Sequence, residues 1–230
     1  MTIYTKIYEF LDNKEKQEYS RLIDYTKISD NLDNDKIKEL CKEAKDNNFY
    51  SICILPEYVI TAYSLLKGDV KISALIDFPK GESDVSKKIN KIDEVIVNGA
   101  KEIDVVVNYK LIKDSEENEK LEKEIRELTE YCHKEGVIIK VIIEVGALNY
   151  QEIEKICRMC IDSSVDFVMT STGKYPNDNS FEEKLEKVKF MRKILPDDIK
   201  IKFSGGVRLL SQIKELLPFV DRVGTSVLSQ

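Results

Sequence analysis

The hydrophobic pattern of the chain switches repeatedly between two periods. Short runs dense in Val and Ile recur along it: LIDYT (22–26), YSICIL (50–55), KISALIDF (71–78) and EIDVVVN (102–108), then VIIKVIIEV (137–145), DFVMTST (166–172), IKIKFSG (199–205) and DRVGTS (221–226). Several are almost continuously apolar, the mark of parallel strands covered on both faces. Between them, apolar positions fall at spacings of three and four. The stretch 34–48 places Ile37, Leu40, Cys41 and Ala44 on one stripe, the pattern of an amphipathic helix. Residues 83–99 open on a Ser/Asp cap signal and close at Gly99, and residues 116–136 close at Gly136 in the same way. Helical patterns also cover 149–164, 181–195 and 209–217, and residues 7–22 predict an extra helix ahead of the first strand.

Eight strand runs alternating with helices predict an α/β fold, a (β/α)8 TIM barrel formed as a single domain over residues 1–230. The alternative is an open doubly wound sheet. Against it, no G-x-G-x-x-G or G-x-x-x-x-G-K-[ST] opens a helix. Only Val227–Gln230 follow the last strand run, so the eighth helix is predicted to be truncated or missing. The eighth outer position would then be open, covered by residues 7–22, or covered by another subunit.

Composition removes several classes of function. Charged residues make up 34% of the chain and the hydrophobic set 42%, an ordinary globular mixture with material for a core. The net charge of −6 argues against a nucleic-acid surface. No apolar run approaches the ~18–20 residues of a membrane span, so no membrane partner is expected. The first residues lack an apolar signal region, which predicts a cytoplasmic protein. Cys157 and Cys160 form a C-x-x-C, but within a helical pattern they read as an i, i+3 pair on one face. With His133 as the single histidine, no metal site is predicted.

In a barrel of this kind, chemistry belongs at the C-terminal ends of the strands. Asp104, Lys140 and Lys202 are charges set inside apolar strand runs. Unpaired, they would be costly, so they must pair or face a solvated cleft. They read as an ion-pair network filling the barrel, as a Lys/Asp proton relay, or as an amine of depressed pKa. Two nearby ammonium groups lower each other's pKa, while Asp104 opposes that. The sequence TSTGK (170–174), with Thr172, Gly173 and Lys174, suits an anion: glycine lets a backbone N–H approach and lysine adds charge. It could equally be a plain strand-to-helix turn. SGGVR (204–208), with Gly205 and Gly206, and GTS (224–226), with Ser226, follow the seventh and eighth strands, where such barrels often build phosphate sites. DFPKGE (77–82) after the third strand is either a turn or a substrate wall.

These motifs, in this order, resemble the deoxyribose-phosphate aldolase family. The resemblance runs from Ile23 onward and rests on IDYT, SICILPEYV, DFPKG, GAKEIDVVVN, KVIIE, DFVMTSTGK, SGGVR and GTS. It implies a barrel, usually dimeric and free of metal or other cofactor. The implied reaction is reversible cleavage of 2-deoxyribose 5-phosphate to glyceraldehyde 3-phosphate and acetaldehyde. By position, the resemblance makes Asp104 the relay aspartate, Lys202 the lysine that tunes the Schiff-base lysine, and Lys140 a further cleft lysine. It assigns Gly173, Lys174, Gly205, Gly206 and Ser226 to the phosphate cradle, and places Asp24, Thr26 and Cys53 in the cleft.

The sequence departs from the family at one position. The family reads F-[VI]-K-T-S-T-G, its lysine forming the imine, and here Phe167-Val168-Met169-Thr170-Ser171-Thr172-Gly173 stands instead. A thioether cannot form an imine. Met also removes a charge at little change in volume, so the barrel should tolerate it. Four readings follow. The chain binds phosphosugars but has lost the aldolase activity; it is a weak aldolase using Lys202 or Lys140; it runs another acid/base reaction on a phosphosugar; or it is a non-catalytic interaction protein.

Overall fold

The computed structural model describes residues 19–28, 33–176 and 180–226. Eight strands close into a barrel in chain order: β1 (Ile23–Thr26), β2 (Ser51–Ile54), β3 (Lys71–Ile76), β4 (Glu102–Val106), β5 (Ile138–Ile142), β6 (Phe167–Met169), β7 (Lys200–Ser204) and β8 (Arg222–Thr225). Every neighbouring pair is parallel, and β8 returns to pair with β1. The helices between them are α1 (Asn34–Asp46), α2 (Val59–Leu66), α3 (Val85–Val97), α4 (Asn118–Lys134), α5 (Tyr150–Asp162), α6 (Phe181–Ile194) and α7 (Leu210–Leu216). The strands carry almost no exposed residue because helices cover their outer face and side chains fill the lumen.

Six helices coincide with the amphipathic stretches of the sequence. Helix α2 does not, and the reason is physical. Its eight residues, VITAYSLL, are mostly apolar and show no clean stripe, so burial of Val59, Ala62 and Leu66 against the barrel decides its structure. Cys157 and Cys160 are both fully buried on the inner face of α5, and the burial of Cys157 pushes its thiol up to about 12. Most of the helix expected over 7–22 lies outside the described residues, although Tyr19 and Ser20 are helical and buried. Residues 227–230, on which the truncated eighth helix turns, also lie outside them.

Candidate active site

Period-two alternation along each strand aims every second side chain at the barrel axis. In this barrel the inward set is charged. Asp24, Glu102, Asp104, Lys140, Lys202 and Arg222 meet there, all buried. Lys202 Nζ lies 2.5 Å from Asp104 Oδ2 and 2.7 Å from Asp24 Oδ2. Lys140 Nζ lies 2.5 Å from Glu102 Oε2, 2.8 Å from Asp104 Oδ1 and 3.4 Å from Asp24 Oδ2. Arg222 Nη1 reaches Asp24 Oδ1 at 3.1 Å, with its guanidinium stacked on the Tyr50 ring. Ser51 donates to Asp24 (2.7 Å) and Ser73 to Asp104 (2.6 Å), while the Cys53 thiol donates to Asp104 Oδ2 at 3.3 Å. Three cations therefore face three carboxylates, which is how ionised groups tolerate a low-dielectric interior.

This matching sets the protonation states. Burial alone would lower the lysines, but Asp104 and Asp24, joined by Glu102 at Lys140, override it and raise both Lys140 and Lys202 above the ordinary lysine range. The depressed amine pKa entertained from the sequence is therefore reversed for these two lysines: the carboxylate count exceeds what Asp104 alone would supply. Burial would raise the carboxyls, but Lys140 and Lys202 hold Asp104 down at about 2, and with Arg222 they hold Asp24 far below the carboxylate range. Burial and the neighbouring Asp104 push the Cys53 thiol up, so it is a protonated donor and not a nucleophilic thiolate.

Met169 ends β6 in register with Ile142 of β5 and Lys202 of β7, and only 3% of it is exposed. Its successor Thr170 fastens β6 to β7. The Thr170 hydroxyl accepts from the Ser204 N–H at 2.9 Å and donates to the Ser204 carbonyl at 3.2 Å.

One inward layer above the charges, about 6.6 Å along the strands, lies a polar cavity of about 310 Å³. Its floor is Thr26, Ser204 and Gly224, each two residues beyond Asp24, Lys202 and Arg222 respectively. Its walls bring together the three loops singled out in the sequence: Thr172, Gly173 and Lys174; Gly205, Gly206 and Arg208; and Ser226. Gly173 (φ +72°), Gly205 (φ +85°) and Gly206 (φ +90°) adopt backbone that L side chains rarely reach, and Gly173 and Gly205 pack against each other. Thr172 is locked by Glu144, which accepts from both its N–H (3.1 Å) and its hydroxyl. In turn the Thr172 hydroxyl accepts from the Lys174 N–H at 3.1 Å. Gly224 serves differently, because a Cβ there would lie 2.8 Å from Ser204 Oγ and 3.3 Å from Lys202 Cε.

Asp24, Cys53, Asp104, Lys140 and Lys202 thus fall in the lumen network, and Thr26, Thr172, Gly173, Lys174, Gly205, Gly206 and Ser226 in the cavity above it. Met169 stands beside Lys202 by register, and Asp77 and Phe78 of the DFPKGE segment line a separate pocket. Sequence reasoning missed Glu102, Arg222, Glu144 and Lys184. Glu102 was accessible: it lies two residues before Asp104 and so faces the same way. Among the described residues no group of His, Cys, Asp or Glu is arranged to hold a metal ion.

A closed parallel barrel with a lysine–carboxylate lumen under a glycine-lined polar cavity at the C-terminal strand ends defines a class, that of the TIM-barrel proteins, whose chemistry is carried at that end. Comparison makes this specific: residues 19–222 match the family model described as DeoC/LacD family aldolase, and the chain belongs to that family. It is 35% identical over 210 residues to a deoxyribose-phosphate aldolase of Caldanaerobacter subterraneus, covering 90% of this chain and 89% of that one. It is 37% identical over 213 residues to that of Dictyoglomus turgidum, covering 92% and 94%. Among solved structures, the tetrameric deoxyribose phosphate aldolase of Aeropyrum pernix superposes with a TM-score of 0.82 at 25% identity, over 97% of this chain and 92% of that one. Among the described residues no helix is long and apolar enough to cross a membrane.

Proposed function

We propose that this chain is a one-domain, phosphosugar-binding member of the aldolase family, cytoplasmic and homodimeric, in which the covalent step of deoxyribose-phosphate cleavage is lost or severely reduced. The substrate class is a phosphorylated sugar or aldehyde such as 2-deoxyribose 5-phosphate. Its phosphate would sit on Gly173, Gly205, Gly206, Lys174 and Ser226, leaving the carbonyl end over Met169, Lys202 and Asp104. One observation carries the reading: Met169 stands where the family pattern has its imine-forming lysine, and the lysines around it are held protonated by carboxylates. An ammonium has no lone pair to attack a carbonyl carbon, and a thioether has no N–H to lose as water departs. Binding and orientation would persist without the nucleophile, because the cavity does not depend on it.

A second reading, a weak aldolase using Lys202, is favoured by the register that sets Lys202 beside Met169. It requires Lys202 to shed its proton against Asp104 and Asp24, which makes it slow. Calorimetry and thermal unfolding with millimolar 2-deoxyribose 5-phosphate test the binding claim. A ligand at 100 times its Kd adds about 2.7 kcal/mol of stability. The expected result is a raised Tm with the phosphorylated sugar and none with 2-deoxyribose itself. No shift with either overturns the proposal.

A further inference from the structure

Behind the anion cavity sits a lysine that none of its three loops supplies. Helix α6 starts from Ser180, which accepts from the Glu183 N–H at 3.2 Å while Glu183 accepts from the Ser180 N–H at 3.0 Å. This capping box fixes the first turn and turns Lys184, Leu185, Val188 and Met191 inward. A lysine on the buried stripe of a helix needs a reason. Lys184 is 2% exposed and its ammonium donates to the Gly205 carbonyl at 2.9 Å. A Cβ on Gly205 would lie 3.1 Å from that ammonium and one on Gly206 4.0 Å from it. Lys184 does not line the cavity; it touches the backbone that does.

The consequence follows from peptide geometry. In a trans peptide the C=O and the next N–H point in opposite directions. Holding the Gly205 carbonyl toward Lys184 therefore aims the Gly206 N–H away from it, on the cavity side. Two glycines in succession with positive φ are the backbone most free to flip that peptide plane, and a flip would put a carbonyl dipole where an anion must sit. We infer that Lys184 is a positioning residue for the anion site: it locks the Gly205–Gly206 peptide with its N–H facing the ligand and adds a positive charge behind it. This deepens the reading proposed above and rests on it. The chemistry recognised is a phosphate group, whether free or on a sugar.

The test uses inorganic phosphate as the probe, with the Gly206 amide resonance and calorimetry as readouts, on the whole chain and on Lys184→Met and Lys184→Arg. In the unaltered chain phosphate should shift the Gly206 amide proton strongly. Lys184→Met should weaken phosphate binding about tenfold or more and abolish that shift, and Lys184→Arg should restore affinity to within about threefold. A Gly206 amide that ignores phosphate in the unaltered chain overturns the inference even if Lys184→Met fails to fold. So does a Met variant binding within twofold of the unaltered chain, or an Arg variant that rescues nothing. If phosphate binds with the expected shift but 2-deoxyribose 5-phosphate does not bind, the role of Lys184 stands and the phosphosugar reading falls.

Discussion

Met169 sits beside a closed set of charges, three cations against three carboxylates. A lysine introduced there would be the fourth cation in the lumen, next to Lys202 and without a carboxylate of its own. Burial and like charge both act to depress its pKa, so Met169→Lys should supply a neutral amine near pH 7. The expected outcome is measurable cleavage of 2-deoxyribose 5-phosphate at a stability loss of about 1–3 kcal/mol, read by a coupled aldehyde assay and chemical denaturation. Lys202→Met instead strips one cation from buried Asp104 and Asp24 and should cost about 3–5 kcal/mol. A loss under 1 kcal/mol would show that the network is not ionised as described. At this scale Asp104, Lys140 and Lys202 were legible because a charge inside an apolar strand contradicts its surroundings. Arg222 was not, because a charge at the first residue of a strand looks like a solvated end. Lys184 was not, because the charged residues flanking it in FEEKLEKVKF hide a buried position among exposed ones.

At the scale of elements, the site depends on how β6, β7 and α6 are joined. Thr170→Val keeps the shape of the side chain but removes both hydrogen bonds to Ser204. It should cost about 1–3 kcal/mol and weaken phosphate binding, because the glycine loop begins one residue later. Gly205→Ala places a methyl 3.2 Å from Gly173 Cα, 3.1 Å from the Lys184 ammonium and on a φ of +85°. Calorimetry should find phosphate binding lost with the fold retained, and tight binding by this variant would contradict the packed-glycine account. The strands and six helices could be read from periodicity because each satisfies one pattern. Helix α2 could not, because its mostly apolar run VITAYSLL carries no polar face against which a helical period would show.

For the whole molecule, the lumen network sets the response to pH. Asp24 and Asp104 have folded pKa values depressed below the ordinary carboxylate, so their contribution is complete above about pH 4–5. It is lost as pH falls through the folded values, about 2 for Asp104. Lys140 and Lys202 are raised, so their contribution is complete below the ordinary lysine pKa and is lost only as pH rises past it. Stability should therefore be flat between about pH 5 and 9 and fall steeply below about pH 4. Thermal unfolding across that range checks it, and a maximum confined to either side would contradict the paired lumen.

The claim that no lumen amine of the unaltered chain forms an imine meets its most direct test in borohydride trapping with acetaldehyde, read by mass spectrometry of the intact and digested chain. Condensation of an amine with the aldehyde expels water, and reduction of the imine fixes an ethyl group on nitrogen. The account predicts no adduct in the lumen of the unaltered chain and an adduct at position 169 in Met169→Lys. An ethyl group on Lys202 or Lys140 of the unaltered chain would contradict it.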